Sequence, residues 1–99
     1  MGNDGVVLAR ARELDIGSAI ALLEEAVAEG GETAEIAKML ARLSLEINEV
    51  RAFQNWCHEA LRMAPKDTEV HRMLAAYFRA NGRDWEAEEA LEIAERLHH

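Results

Sequence analysis

The 99-residue chain has 19 acidic side chains against 11 lysines and arginines, which gives a net charge of −8 at pH 7. Apolar residues make up 49% of the chain and charged residues 30%, a composition typical of one small folded domain that excludes a disordered chain and a multidomain enzyme. The negative charge argues against nucleic acid and membrane surfaces as partners, because their anionic groups would be repelled.

Apolar residues recur at the i, i+3, i+4 and i+7 spacing of amphipathic helices. Ala, Leu, Glu and Arg dominate, whereas β-branched and aromatic residues are sparse, which also favours helix over strand. In chain order, the apolar positions of six predicted helices fall within 6–9, 16–27, 36–47, 50–64, 70–78 and 87–97. The first pattern is the weakest, and its helix is expected to begin near Asp4. The chain is therefore predicted to be all-α.

Turn and capping residues lie between the predicted helices. Gly30-Gly31 and Pro65 are residues that end a helix. Thr33 and Asp67 are residue types that begin the next one, because their side chains accept hydrogen bonds from its first amides. Tight turns within helix pairs are expected at 14–17, 48–49 and 81–84. Connections this short predict six antiparallel helices packed as neighbouring hairpins.

A shift of 34 residues aligns the chain with itself without a gap. Residues 35–41 then overlay 69–75 with four identities in seven positions, and Thr33 falls on Asp67. Alanine occupies one shared position in three successive copies: Ala26, Ala60 and Ala94. The period predicts three helix-turn-helix copies, at about 1–33, 34–67 and 68–99.

With this period and this unit, the chain resembles the tetratricopeptide repeat family. The third copy carries the resemblance best, with these residues at the family's small and large positions: Leu74, Ala75, Phe78, Gly82, Ala87, Leu91 and Ala94. The second copy departs from the pattern, because Ser44, Asn48 and Phe53 replace the usual aromatic residue, glycine and alanine. The resemblance implies a single domain, 1–99, folded as an all-α superhelix of three units that acts as a protein–protein interaction module.

The resemblance also implies that the first helix of each unit lines a concave groove. The residues expected to face it are Leu8, Arg12, Lys38, Met39, Arg42, Leu45, Arg72, Met73, Ala76 and Arg79. Arginine donors and adaptable methionines suit an acidic and apolar peptide or an amphipathic helix as the partner. An equally good interpretation makes Met39 and Met73 core residues and the cations a solvated helix face. The sequence leaves both open.

Carboxylates concentrate on the second helices, which the resemblance places on the convex back. Glu88, Glu92 and Glu95 share one face of the last helix. An acidic outer face is expected of a terminal helix that no further repeat covers. The terminal His98-His99 pair fits either a native end or the remnant of a purification tag, so it predicts no function.

Residues with catalytic or metal-binding chemistry are sparse. Cys57 and His58 are neighbours on a predicted helix, so their side chains point about 100° apart and form no nucleophile–base pair. Cys57 lies in an apolar stripe and is expected to be a small buried hydrophobic residue. We therefore predict a protein that is not an enzyme and binds no metal or cofactor. The single cysteine and the absence of a basic, apolar leader favour the cytoplasm.

Self-association through the ends or the convex face is the alternative function, although a monomer is favoured. Ile93 is expected to be exposed on the last helix, where it would contribute to such an interface. Trp56 and Trp85 are expected to seal layers between helices rather than to anchor a partner.

Overall fold

The computed structural model describes the backbone of residues 3–98 and the side chains of residues 5–97. Its helices are α1 (Asn3–Glu13), α2 (Ile16–Ala28), α3 (Ala34–Glu46), α4 (Val50–Met63), α5 (Thr68–Ala80) and α6 (Asp84–His98). No strand occurs between residues 3 and 98. The all-α prediction and its six helices are therefore confirmed, whereas the side chains of Asp4, His98 and His99 lie outside the described part.

Side-chain caps begin three of the helices. Thr33 Oγ1 accepts a hydrogen bond from the Ile36 amide at 3.2 Å, and Asp67 Oδ1 accepts one from the Glu69 amide at 3.0 Å. Both caps were predicted. Asp15, which the sequence placed within a turn, also caps a helix, because Oδ1 accepts from the Ser18 amide at 2.9 Å. The connection before α2 is thus two residues long, 14–15, and shorter than the expected turn.

Left-handed residues end the helices or turn the chain between them. Gly30 follows α2 with a φ of 86°, and the Gly31 amide donates to the Ala26 carbonyl at 2.8 Å. Gly82, between α5 and α6, has a φ of 75°. Asn48 takes the same role between α3 and α4 with a φ of 61°, which a short polar side chain tolerates better than most. The departure from glycine at this position is thereby explained.

Consecutive helices pack as three hairpins, α1 with α2, α3 with α4 and α5 with α6. The chain forms two compact units, a first unit over residues 1–63 with α1 to α4 and a second unit over 64–99 with α5 and α6. Within the first unit, α3 also contacts α1 and α2. The first helices of the first two predicted repeats are therefore neighbours.

Small and branched apolar side chains form the core of the first unit. The buried cluster there consists of Leu8, Ala11, Ala19, Leu23, Ile36 and Leu40. Trp56 and Met39 pack against it while remaining half-buried, so Trp56 does seal helix against helix as predicted. On α4, Phe53, Cys57 and Ala60 have at most 1% of their surfaces exposed.

The core of the second unit is smaller, with Ala75, Ala87 and Ala90 buried and with Phe78 and Leu91 packed against them. Trp85 is 74% exposed, so the prediction that it seals a helix layer is wrong. The reason is its angular position, since Trp85 precedes buried Ala87 by two residues and points to the opposite side of α6.

Length and hydropathy decide whether any of these helices could span a membrane. Between residues 3 and 98, none is both long and apolar enough to cross a bilayer.

Candidate peptide-binding surface

Helix α3 has one buried face and one cationic face. Its buried residues are Ile36, Ala37, Leu40, Ala41 and Ser44. Arg42 is exposed on the opposite side of the helix. The Lys38 side chain is only 12% exposed, and its Nζ lies 3.4 Å from Glu35 Oε1 one turn earlier. A ligand carboxylate at Lys38 would therefore compete with an existing ion pair.

Apolar side chains flank these cations on α3. Met39 and Leu45 are both half-buried, and Met39 packs against the core of the first unit. Met39 thus supports the core with one part of its side chain and leaves another part accessible. The core interpretation therefore holds for Met39, while its place in a binding groove stays a prediction.

Helix α1 offers fewer accessible side chains to a ligand than the sequence predicts. Leu8 is only 9% exposed and belongs to the core cluster, so it offers little surface to a ligand. Arg12 is exposed near the end of α1. Because α1 contacts α3, Arg12 and Arg42 lie on neighbouring helices of the same unit.

Helix α5 presents the corresponding positions in the second unit. Arg72, Ala76 and Arg79 are exposed at i, i+4 and i+7, which places them on one face. Val70 is buried on the other side, Ala75 is buried within one turn of Arg72 and Arg79, and Met73 is half-buried. The 34-residue register matches Arg72 with Lys38 and Met73 with Met39, so α3 and α5 carry one pattern of a cation followed by a methionine.

Three groups on α4 and at the start of α2 have shifted pKa values: Glu59, Cys57 and Asp15. Hydrogen bonding by Arg62 holds the pKa of the Glu59 carboxyl below its usual value, and the Arg62 Nε–Glu59 Oε2 distance is 2.9 Å. Hydrogen bonds from Ser18 likewise lower the pKa of Asp15. Burial raises the pKa of the Cys57 thiol from 9.0 to about 12, so this thiol is protonated at neutral pH and is a poor nucleophile.

Within each unit, the first helices offer side chains suited to recognition by charge and apolar contact. Arginine presents a planar fork of donors that matches a carboxylate, and methionine adapts to irregular apolar shapes. Across residues 5–97, no three His, Cys, Asp or Glu side chains group closely enough to hold a metal ion.

Sequence reasoning missed a second surface, on the second unit. An open cleft of about 310 Å³ lies between α5 and α6, and half-buried Ile93, expected to be exposed, forms part of its wall. The exposed Trp85 lines a separate depression that shares Glu89 with this cleft. The available signal was a tryptophan followed by glutamates at i+3 and i+4, a spacing that places all three on one helix face.

These hairpins, with their 34-residue register, define a helical-repeat protein. The family model of the tetratricopeptide repeat matches residues 11–77, which is more than half of the chain. The chain belongs to the tetratricopeptide repeat family, whose fold serves protein–protein interaction. Neither the curated proteins nor the solved structures contain a significant match to it.

Proposed function

We propose that the chain binds an acidic and apolar peptide, or an amphipathic helix of that character, through the first helices of its repeats. The observation that carries the proposal is the recurrence of exposed arginines on these helices, Arg12 on α1, Arg42 on α3 and Arg72 with Arg79 on α5. Membership of a protein-interaction family supports the general role. Charge and apolar character then select the class of peptide.

The expected affinity follows from the exposure of these cations. An ion pair in contact with water contributes about 0.2–1 kcal/mol, so no single arginine would hold a peptide. Half-buried Met39, Leu45 and Met73 add apolar surface, at about 25 cal/mol for each Å² removed from water. Several contacts of both kinds are needed for a Kd near 1 μM, which corresponds to about −8 kcal/mol.

The test is a peptide-display selection on the natural chain, followed by Kd measurements on two charge-matched double variants. Arg42→Glu with Arg72→Glu places negative charge on α3 and α5. Arg51→Glu with Arg96→Glu makes the same change in net charge at exposed positions of α4 and α6. We expect acidic and apolar peptides to be selected, and the first variant to bind them at least tenfold more weakly, about 1.4 kcal/mol.

The control variant should bind the selected peptides with a Kd within about threefold of that of the natural chain, because its reversed charges lie on the second helices. Circular dichroism of both variants checks that the helices persist. Equal weakening in both would contradict the proposal, as would selection of basic peptides.

Self-association is the second candidate function. It is favoured by large apolar side chains that are more than 40% exposed, which between residues 5 and 97 are Val6, Leu14, Ile47 and Trp85. The net charge of −8 opposes it by repulsion between copies. Light scattering over a concentration series separates the two, since a constant monomer mass supports peptide binding and a rising mass supports assembly.

A further inference from the structure

The second unit has an apolar cleft with an acidic rim. Leu74 and Phe78 of α5 face Ala90 and Ile93 of α6 across an open volume of about 310 Å³. The polar residues at its edge are His71, Glu86 and Glu89. Such a volume accepts two or three aliphatic side chains, which is the size of an apolar ridge on one face of a helix.

The glutamates of the rim lack an ion-pair partner within residues 5–97. Glu86 and Glu89 form no ion pair with any residue in the described part of the chain. They are three residues apart on one helix, where like charges repel. Between residues 84 and 97, α6 carries six carboxylates and a single arginine. A cationic ligand would relieve this repulsion.

The acidic rim continues onto an exposed aromatic ring. Glu89 also borders a shallow depression of about 180 Å³ whose other residues are Trp85, Glu88 and Glu92. Trp85 is 74% exposed. An indole face beside carboxylates attracts lysine and arginine by cation–π and Coulomb interactions together. The cleft and the depression thus form one surface with an apolar floor and a cation-binding edge.

We propose that this surface docks an amphipathic helix of a partner protein, with aliphatic residues at i, i+3 and i+7 in the cleft and lysines or arginines along Glu86, Glu89 and Trp85. Charge complementarity selects this occupant. A second copy of the chain fits less well, because it brings a further net charge of −8 to an acidic face.

The test uses two synthetic helical peptides of about 14 residues, long enough to span some 21 Å. Both have a leucine ridge at i, i+3 and i+7. One carries lysines on either side of the ridge, and the other carries glutamates at the same positions. Titration calorimetry at low salt should give at least tenfold tighter binding for the lysine peptide. Equal binding of both peptides, or no binding of the lysine peptide, would overturn the proposal.

Charge-reversed variants locate the site. Glu86→Lys with Glu89→Lys should raise the Kd of the lysine peptide at least tenfold and lower the Kd of the glutamate peptide. Glu25→Lys with Glu95→Lys is the matched control, since it makes the same change in net charge at exposed positions that line neither the cleft nor the depression. The Kd of the lysine peptide for the control variant should stay within about threefold of its value for the natural chain. Equal weakening of binding in both variants would mean general charge attraction and would refute the site.

Sedimentation of the natural chain without peptide addresses the competing occupant. A monomer at every concentration supports a partner helix. A dimer that the lysine peptide dissociates would show that a second copy fills the cleft, and would overturn the proposal. Because this cleft selects basic helices and the arginines of α1, α3 and α5 select acidic ones, failure of either proposal leaves the other unchanged.

Discussion

At the scale of the residue, Cys57 combines burial with a titratable thiol. It is 1% exposed, and its pKa is raised from 9.0 to about 12 because the thiolate would lose its hydration. Since the thiolate is the reactive form, we expect modification by a disulfide reagent at pH 8 to be at least about a hundredfold slower in the native chain than in denaturant. Comparable rates would show that the helix face around Cys57 opens readily.

The same thiol predicts a pH dependence of stability. Above pH 9 the unfolded chain releases the proton, whereas the folded chain retains it until about pH 12. The contribution of Cys57 is therefore fully present below pH 9 and declines as the pH rises toward 12. Thermal melts from pH 8 to pH 11 should fall more steeply for the natural chain than for Cys57→Ala, and parallel curves would contradict this.

Ala60 is a buried position at which a larger side chain is expected to destabilise the fold. It is 1% exposed on α4, and a leucine there has no room. We expect Ala60→Leu to lower the free energy of unfolding by about 1–3 kcal/mol through overpacking. Ala21→Leu makes the same change on the exposed side of α2 and should cost less than about 0.5 kcal/mol. Urea denaturation of the two variants measures the difference.

At the scale of the element, the sequence predicts the helices well because their signals are local. Apolar periodicity depends on neighbours within one turn or two, and caps such as Thr33 depend on the next three residues. The sequence assigned Asp15 to a turn because the helix-weakening Gly17 obscures the start of α2. The chain nevertheless turns within residues 14–15, and the Asp15 cap makes this possible.

Alanine substitutions at Gly82 and Gly17 are expected to change stability in opposite directions. Gly82 has a φ of 75° between α5 and α6, whereas Gly17 lies inside α2 with open space around an added Cβ. We expect Gly82→Ala to destabilise the chain by about 1 kcal/mol, since alanine disfavours the left-handed region. Gly17→Ala should stabilise it by about 0.5–1 kcal/mol through helix propensity. Thermal unfolding measures both, and a stabilising Gly82→Ala would contradict the turn geometry.

At the scale of the whole molecule, net charge opposes folding. The chain carries −8, and each like-charge pair one turn apart on α6 costs about 0.2–0.5 kcal/mol. Raising NaCl from low concentration to about 0.5 M shortens the screening length to a few ångströms. If this screening raises the free energy of unfolding by about 0.5–1 kcal/mol, the Tm rises by roughly 4 °C. A variant with Glu88, Glu92 and Glu95 changed to glutamine should gain less, and an equal gain would exclude self-repulsion as the cause.

Prediction from sequence reaches the candidate site only in part, for a physical reason. The 34-residue register places Lys38 and Arg72 at one position of their helices, and the structure shows both on first helices. Which side chains remain accessible depends on packing between helices, and this explains why Leu8 is buried and Trp85 exposed. The pattern of Trp85, Glu88 and Glu89 along α6 could indicate the depression beside the cleft. The cleft itself exists only once α5 and α6 pair, so no pattern along one helix could reveal it.

The α5–α6 hairpin exposes arginines on one helix and glutamates on the other. Opposite charges held apart in this way give the hairpin a permanent electric dipole. A molecule with an uneven charge distribution that diffuses toward it therefore experiences a torque as well as a force, and begins to turn into alignment before any atoms touch. Added electrolyte weakens this alignment within about a Debye length of the surface, so encounter rates should fall with ionic strength faster than dissociation rates rise.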